Sequence, residues 1–175
     1  DTGAIIPADL LVGADGALYG TTLQGGTGNR GVIYKITTAG SFTALYSFPG
    51  LNAFNDAGLA TNTTGANPRA ALLLAADGNY FVAGYTSSNN DDVDYHIGLE
   101  DVWILKMTPA GQVLWQKTLG GSQAESITNF KATSDGGCIL TITTDSKNVD
   151  LVGIAPNDYP IWLVKLDADS ETTWQ

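Results

Sequence analysis

The stretch AADGNYFVAGYT, residues Ala75–Thr86, joins an Asp-Gly pair to a run of apolar and aromatic residues. Asp-Gly favours a two-residue hairpin turn, because glycine accepts a positive φ at no steric cost. The run that follows is rich in the β-branched and aromatic residues that favour strands. The stretch therefore predicts a tight turn that leads into a β-strand.

The same pattern occurs three times in the chain, at intervals of roughly 60 residues. The Asp-Gly pairs are Asp15-Gly16, Asp77-Gly78 and Asp135-Gly136. Each pair is followed by an apolar segment with one lysine: VIYKIT (Val32–Thr37), VWILKMT (Val102–Thr108) and IWLVKLD (Ile161–Asp167). A third landmark ends each unit: FTALYSF (Phe42–Phe48), QVLWQKTL (Gln112–Leu119) and ETTWQ (Glu171–Gln175).

Each unit contains four short strand-like runs separated by turn residues, and no helical period extends over ten residues. Four antiparallel strands repeated at a fixed period are typical of β-propeller blades. We therefore predict an all-β fold with three blades, in residues 1–64, 65–124 and 125–175. The longest loops are expected between the second and third strands of each blade, at Leu23–Arg30, Ser87–Asp101 and Asp145–Pro160.

Three blades are too few to close a ring of the usual four to eight blades. We expect either that the chain is part of a longer protein with further blades, or that copies of the chain associate to complete a ring or stack as an array.

Composition excludes some partners. The chain has 18 acidic and 8 basic side chains, a net charge of −10 and a pI near 4.1. This charge repels phosphate backbones and anionic membranes, so nucleic acid is an unexpected partner. No apolar run approaches the ~20 residues of a membrane helix. Cys138, the single cysteine, lies among apolar residues, which predicts a buried packing role.

Parts of the sequence resemble known repeat families. IPADLLVGADGALYGTTLQGGTGNRGVIYKIT (Ile6–Thr37) is similar to the GloVer-type tandem repeat of secreted bacterial proteins. DVWILKMTPAGQVLWQKTLGGS (Asp101–Ser122) and SDGGCILTITT (Ser134–Thr144) resemble a propeller repeat of about 60 residues that is common in secreted or surface proteins of Bacteroidota. The resemblance implies an extracellular or cell-surface location and a non-enzymatic structural or adhesive role. Alternatives are a propeller enzyme that acts on polysaccharide, and a calcium-dependent glycan-binding module.

The glycines of GGTGNRG (Gly25–Gly31) have the G-x-G-x-x-G spacing of a dinucleotide-binding loop. Such a loop needs a helix after it, whose N-terminus binds the pyrophosphate. The following residues, GVIYKITTAGSF, have the pattern of a strand and a turn. We therefore expect a tight loop between strands and no nucleotide site.

The loop SNNDDVDYHIGLED (Ser88–Asp101) is the densest cluster of oxygen ligands in the chain. Carboxylates and amides suit a hard cation, so the loop is a candidate Ca²⁺ site, with an ordinary solvated loop as the alternative. The candidate metal ligands are Asp91, Asp92 and Asp94. Asn89, Asn90, Tyr95 and His96 are the candidate ligand contacts.

Little in the sequence indicates catalysis, and we assign no catalytic residue. His96 is the only histidine, so no catalytic triad or histidine metal site is available. Glu100 and Asp101 form a conceivable acid–base pair, but neighbouring strand residues point to opposite faces.

Four tryptophans and three lysines recur at fixed places in the units. Trp103, Trp115, Trp162 and Trp174 are expected to pack the blades and not to bind sugar. Lys35, Lys106 and Lys165 are expected to cover apolar surface with their stems and to hold their ammonium groups in water.

Overall fold

The computed structural model describes residues 10–50, 53–54, 60–61, 66–68, 72–86, 100–146 and 161–175. All regular elements in these residues are β-strands, which confirms the all-β prediction. Within them, no helix is long and apolar enough to cross a membrane.

Thirteen of the fifteen strands in the described residues form three antiparallel sheets with the same internal plan. The first sheet contains β1 (Leu11–Val12), β2 (Leu18–Thr22), β3 (Val32–Ile36) and β4 (Phe42–Ser47), in that spatial order. The short strands β5 (Ala53–Phe54) and β6 (Ala60–Thr61) pair only with each other.

The second sheet has five strands in four positions, because two short strands share one edge. These are β7 (Ala66–Pro68) and β8 (Leu73–Leu74), which both pair with β9 (Tyr80–Thr86). The next strands are β10 (Asp101–Met107) and β11 (Val113–Leu119). The third sheet contains β12 (Glu125–Ala132), β13 (Cys138–Thr144), β14 (Ile161–Leu166) and β15 (Thr172–Trp174).

The Asp-Gly hairpins differ in detail from the two-residue turns that the sequence predicts. The Gly78 amide donates to the carbonyl of Ala75, and the Ala75 amide donates to the carbonyl of Asn79. The loop therefore has three residues and ends on a glycine with φ of 82°, as in a hairpin with a left-handed residue at its third position. The other two Asp-Gly turns have the same bonds, with φ of 74° at Gly16 and 83° at Gly136.

The sheets stack face to face, with the second between the first and the third. On β9 and β10, Val82, Trp103 and Leu105 pack toward the first sheet. The alternate residues, including Phe81 and Ile104, pack toward the third sheet. All seven residues of β10 are buried, which is the pattern of a strand covered on both faces.

Each sheet has one face to which the lysine of its third strand points: Lys35, Lys106 or Lys165. We call this face the lysine face of the sheet. The lysine face of the first sheet packs against the second sheet, and the lysine face of the second sheet packs against the third. In each case the face that it contacts is the one opposite to that sheet's own lysine face.

The segment GGTGNRG forms the expected tight loop between β2 and β3. The Gly31 amide donates to the carbonyl of Gly25, and the side-chain oxygen of Asn29 accepts from the Gly25 amide. Asn29 has a φ of 53° and Gly31 a φ of 109°, both in the left-handed region. The residues after the loop form strand β3, so no helix N-terminus is available for a pyrophosphate.

Gly28 is the tightest point of this loop, because a side chain there has no space. A Cβ at Gly28 would clash with the backbone of Pro49 and Gly50. We expect Gly28→Ala to lower the free energy of unfolding by about 1–3 kcal/mol, the usual range for overpacking. The measurement is urea denaturation followed by circular dichroism.

Gly50→Ala is the matched control, because its Cβ would lie 3.6 Å from the Cα of Gly28, an ordinary contact distance. We expect it to change stability much less. Equal losses for the two variants would show that the close approach at Gly28 does not constrain this loop.

Candidate functional site

The sequence-predicted loop site lies outside the described residues. Asp91, Asp92, Asp94, Asn89, Asn90, Tyr95 and His96 all fall within residues 87–99. Thr86 and Asp101 on either side are paired across β9 and β10. The chain therefore leaves the second sheet after Thr86 and re-enters it at Asp101, at the same end of the sheet. We call this end the loop end. In the described parts of the chain, no group of three or more metal-binding side chains is present.

The opposite end of the sheets, which we call the turn end, contains one ion pair in each sheet. The aspartate of every Asp-Gly turn pairs with the lysine of the third strand: Asp15 with Lys35, Asp77 with Lys106, and Asp135 with Lys165. The N–O distances are 2.5, 2.7 and 2.8 Å. Each pair ties the first hairpin of a sheet to its third strand.

These pairs correct the prediction that the lysine ammonium groups lie in water. The Lys106 side chain is only 3% exposed and that of Lys165 only 9%, whereas Lys35 is 28% exposed. The hydrogen bond from Lys35 lowers the pKa of Asp15 to about 2. The hydrogen bond from Lys165 lowers the pKa of Asp135 as well. Burial opposes the shift at Asp77, but the Lys106 hydrogen bond and other bonds lower its pKa.

Lys106 also connects two sheets. Its Nζ donates to the carbonyls of Gly136 and Ala168, both at 3.1 Å and both in turns of the third sheet. The indole Nε1 of Trp115 donates to the same Ala168 carbonyl at 2.9 Å. The turn end of the second sheet is therefore bound to the turn end of the third by three polar contacts in addition to the apolar packing.

The tryptophans of the third strands are packing residues, as predicted. Trp103 and Trp162 are almost fully buried, with exposed fractions of 0% and 1%. The indole of Trp103 donates to the side chain of Gln116, and that of Trp162 donates to the side chain of Gln175. One tryptophan–glutamine hydrogen bond thus recurs in two successive sheets. Trp174 is different, because it is 46% exposed.

Cys138 is buried in the core between the second and third sheets, as the sequence predicts. Burial raises the pKa of its thiol to about 12. A thiol with this pKa is a poor nucleophile at neutral pH, because the thiolate is the reactive form.

The loop end contains a buried pair of acids that sequence reasoning missed. Asp101 at the start of β10 is 1% exposed, and Glu125 at the start of β12 is 2% exposed. The two carboxyl groups hydrogen bond to each other, which places the second and third sheets in direct polar contact. Glu100, which the sequence analysis considered as the partner of Asp101, is exposed. Its carbonyl accepts from the Glu125 amide at 2.9 Å.

Glu125 is surrounded by donors. Its Oε1 accepts from the hydroxyls of Thr144 at 2.5 Å and Ser146 at 2.6 Å, and its Oε2 accepts from the Gly121 amide at 3.2 Å. Even so, burial raises the pKa of Glu125, and the hydrogen bond with Asp101 acts in the same direction. Its buried position beside Asp101 therefore favours the protonated form of Glu125.

Two small depressions lie on the surface of the described residues. One of about 140 Å³ lies at the turn end of the first sheet, beside Asp15, Lys35 and Thr37. Another of about 200 Å³ lies on the third sheet, beside Ser126, Thr143 and Asp145. Both are smaller than the ~300–1,000 Å³ of typical small-molecule sites.

Neither protein-family models nor curated proteins match this sequence. The repeated sheets and their contacts are therefore the basis for any statement about function.

The inter-sheet role of Lys106 leads to one prediction. In Lys106→Met the carbonyls of Gly136 and Ala168 lose a buried donor, so we expect a loss of about 1–3 kcal/mol in the free energy of unfolding. Lys35→Met is the matched control, with a more exposed lysine in the equivalent position, and should lose less. Chemical denaturation measures both. A larger loss for Lys35→Met would contradict the inter-sheet role.

The acid pair leads to a second prediction. Because the pKa of Glu125 is raised, the folded protein binds its proton more tightly than the unfolded chain does. This group therefore reduces stability as the pH rises above its ordinary value of 4.5 and through the folded pKa. Glu125→Gln retains a neutral, hydrogen-bonding side chain, so we expect its stability relative to the wild type to increase over that pH range.

The measurement is the difference in unfolding free energy between variant and wild type from pH 4 to pH 8. The aspartates with lowered pKa values make both proteins more stable as the pH rises. Because this contribution is the same in variant and wild type, it cancels in the difference. Glu100→Gln is the control, because Glu100 is exposed, and its difference should not vary with pH. A flat difference for Glu125→Gln would show that folding does not shift the pKa of Glu125.

Proposed function

We propose that the chain is a β-propeller segment with three blades, and that it serves as a structural or adhesive module on a bacterial surface or in the extracellular medium. The observation that supports this most strongly is the recurrence of one building plan. Three successive sheets have the same strand order, the same Asp-Gly turn and the same aspartate–lysine pair. Repeated sheets that pack face to face are how propellers are built.

The distribution of polar groups supports a non-enzymatic module. Lys106 and Glu125 each make several polar contacts, and both are buried and bind other parts of the protein. Asp101 and Glu125 are too deeply buried for direct contact with a polysaccharide in solution. These groups hold sheets together, and recognition belongs to the loops at the loop end, where residues 87–99 connect β9 to β10.

An extracellular location agrees with the composition as well as with the resemblance of the sequence to secreted repeats. The net charge of −10 keeps such a module soluble and repels anionic surfaces. The only thiol is buried, so an oxidising medium has no exposed cysteine to act on.

The test of this function has two arms. Protease added to intact cells of the source organism should degrade the protein without cell lysis. Beads coated with the purified protein should adhere to those cells, and Tyr95→Ala should reduce adhesion several-fold. Tyr46→Ala, in the first sheet, is a control for general loss of stability.

Protection of the protein until the cells are lysed would exclude a surface location. Repeating the adhesion measurement in calcium and in EDTA separates the alternatives, since adhesion that disappears in EDTA indicates the calcium-dependent glycan-binding module instead. Equal adhesion by coated and uncoated beads would exclude an adhesive role.

A further inference from the structure

Exposed apolar side chains are concentrated on the two outer faces of the stack. Eight large hydrophobic residues are exposed among the described residues, and six of them lie on these faces. On the third sheet they are Ile161, Leu163 and Trp174, with exposed fractions of 69%, 43% and 46%. On the first sheet they are Leu10, Val12 and Phe42, with exposed fractions of 47%, 62% and 47%.

The exposed face of the third sheet is its lysine face. Strand register places Ile161 and Leu163 opposite Thr143 and Thr141, and places Trp174 opposite Lys165. The equivalent residues of the second sheet are Val102, Ile104 and Trp115. There Val102 and Ile104 are 0% exposed, because the third sheet covers them. The lysine face is thus buried in the second sheet and exposed in the third.

The exposed face of the first sheet is the complementary one. Val12 pairs with Leu18 and Phe42 pairs with Ile36. The side chains of Val12 and Phe42 therefore lie on the face of the first sheet that is not its lysine face. In the second and third sheets, this opposite face packs against the lysine face of the preceding sheet. The chain therefore carries one open copy of each half of a junction that it already makes twice.

We propose that the open lysine face of the third sheet binds the open face of the first sheet in a second copy of the chain. The inference rests on the proposed propeller architecture, and the partner that it adds is a second copy of the chain. A contact between two different faces is heterologous, and it closes into a ring when the rotation per sheet permits. Two copies supply six sheets, which is within the four to eight blades of known propellers, and leave neither face open.

The junction between the second and third sheets indicates which polar contacts the new junction would contain. There, Lys106 binds the carbonyls of Gly136 and Ala168, and Trp115 binds the latter. Lys165 and Trp174 occupy the equivalent positions on the open face. The equivalent carbonyls of a second copy belong to Gly16 and Thr38, which line the depression at the turn end of the first sheet.

The test is the mass of the purified chain in solution. Analytical ultracentrifugation should show a species of twice 18.3 kDa. Since each chain has a net charge of −10, screening by added salt should increase the dimer fraction. Leu163→Lys and Phe42→Lys each place a charge on one of the two faces, and each should abolish the dimer. Leu114→Lys, at a residue that is 45% exposed on β11, should leave it intact.

A mixture of the two monomeric variants distinguishes the proposed contact from a symmetric one. The intact third sheet of Phe42→Lys and the intact first sheet of Leu163→Lys can still form one junction, so the mixture should recover a mixed dimer. Circular dichroism confirms that each variant is folded.

A wild-type chain that is monomeric at 100 µM would overturn the proposal. So would assemblies larger than a dimer, or a dimer that Phe42→Lys does not affect. Each of these results leaves the surface location and the adhesive role to their own tests, because the protease and adhesion measurements do not depend on what covers the open faces.

Discussion

The constraint on which the rest of the structure depends is that each four-stranded sheet carries apolar side chains on both faces. Burial of these faces against neighbouring sheets stabilises the fold. In strand β10 this burial is complete, since all seven of its residues are buried between the first and third sheets. The second sheet packs one face against the first sheet and the other against the third.

Polar groups in this stack are placed where the sheets end, and there they bridge parts of the chain that are distant in sequence. At the turn end, Lys106 binds its own sheet through Asp77 and the next sheet through Ala168. At the loop end, Asp101 and Glu125 join the same two sheets. The apolar middle therefore supplies most of the stabilisation, and the polar ends set the alignment of the sheets.

The repeat landmarks were enough to predict the strands, because Asp-Gly turns and alternating apolar residues depend on local sequence alone. The lysine partners were not predictable in this way. Asp77 lies in the turn between β8 and β9 and Lys106 lies in β10, so only the folding of the sheet brings them together. The sequence pairs Asp101 with its neighbour Glu100, whereas the structure places it beside Glu125 at the start of another sheet. The acids of residues 87–99 remain a prediction from composition.

The position of Cys138 makes the junction between the second and third sheets observable in a simple way. It is the only cysteine of the chain, and it is fully buried against the second sheet. A thiol reagent reaches it only when the two sheets separate, so the rate of native-state thiol labelling reports how often this junction opens. One cysteine thus provides a kinetic reporter for a single interface, separate from global unfolding.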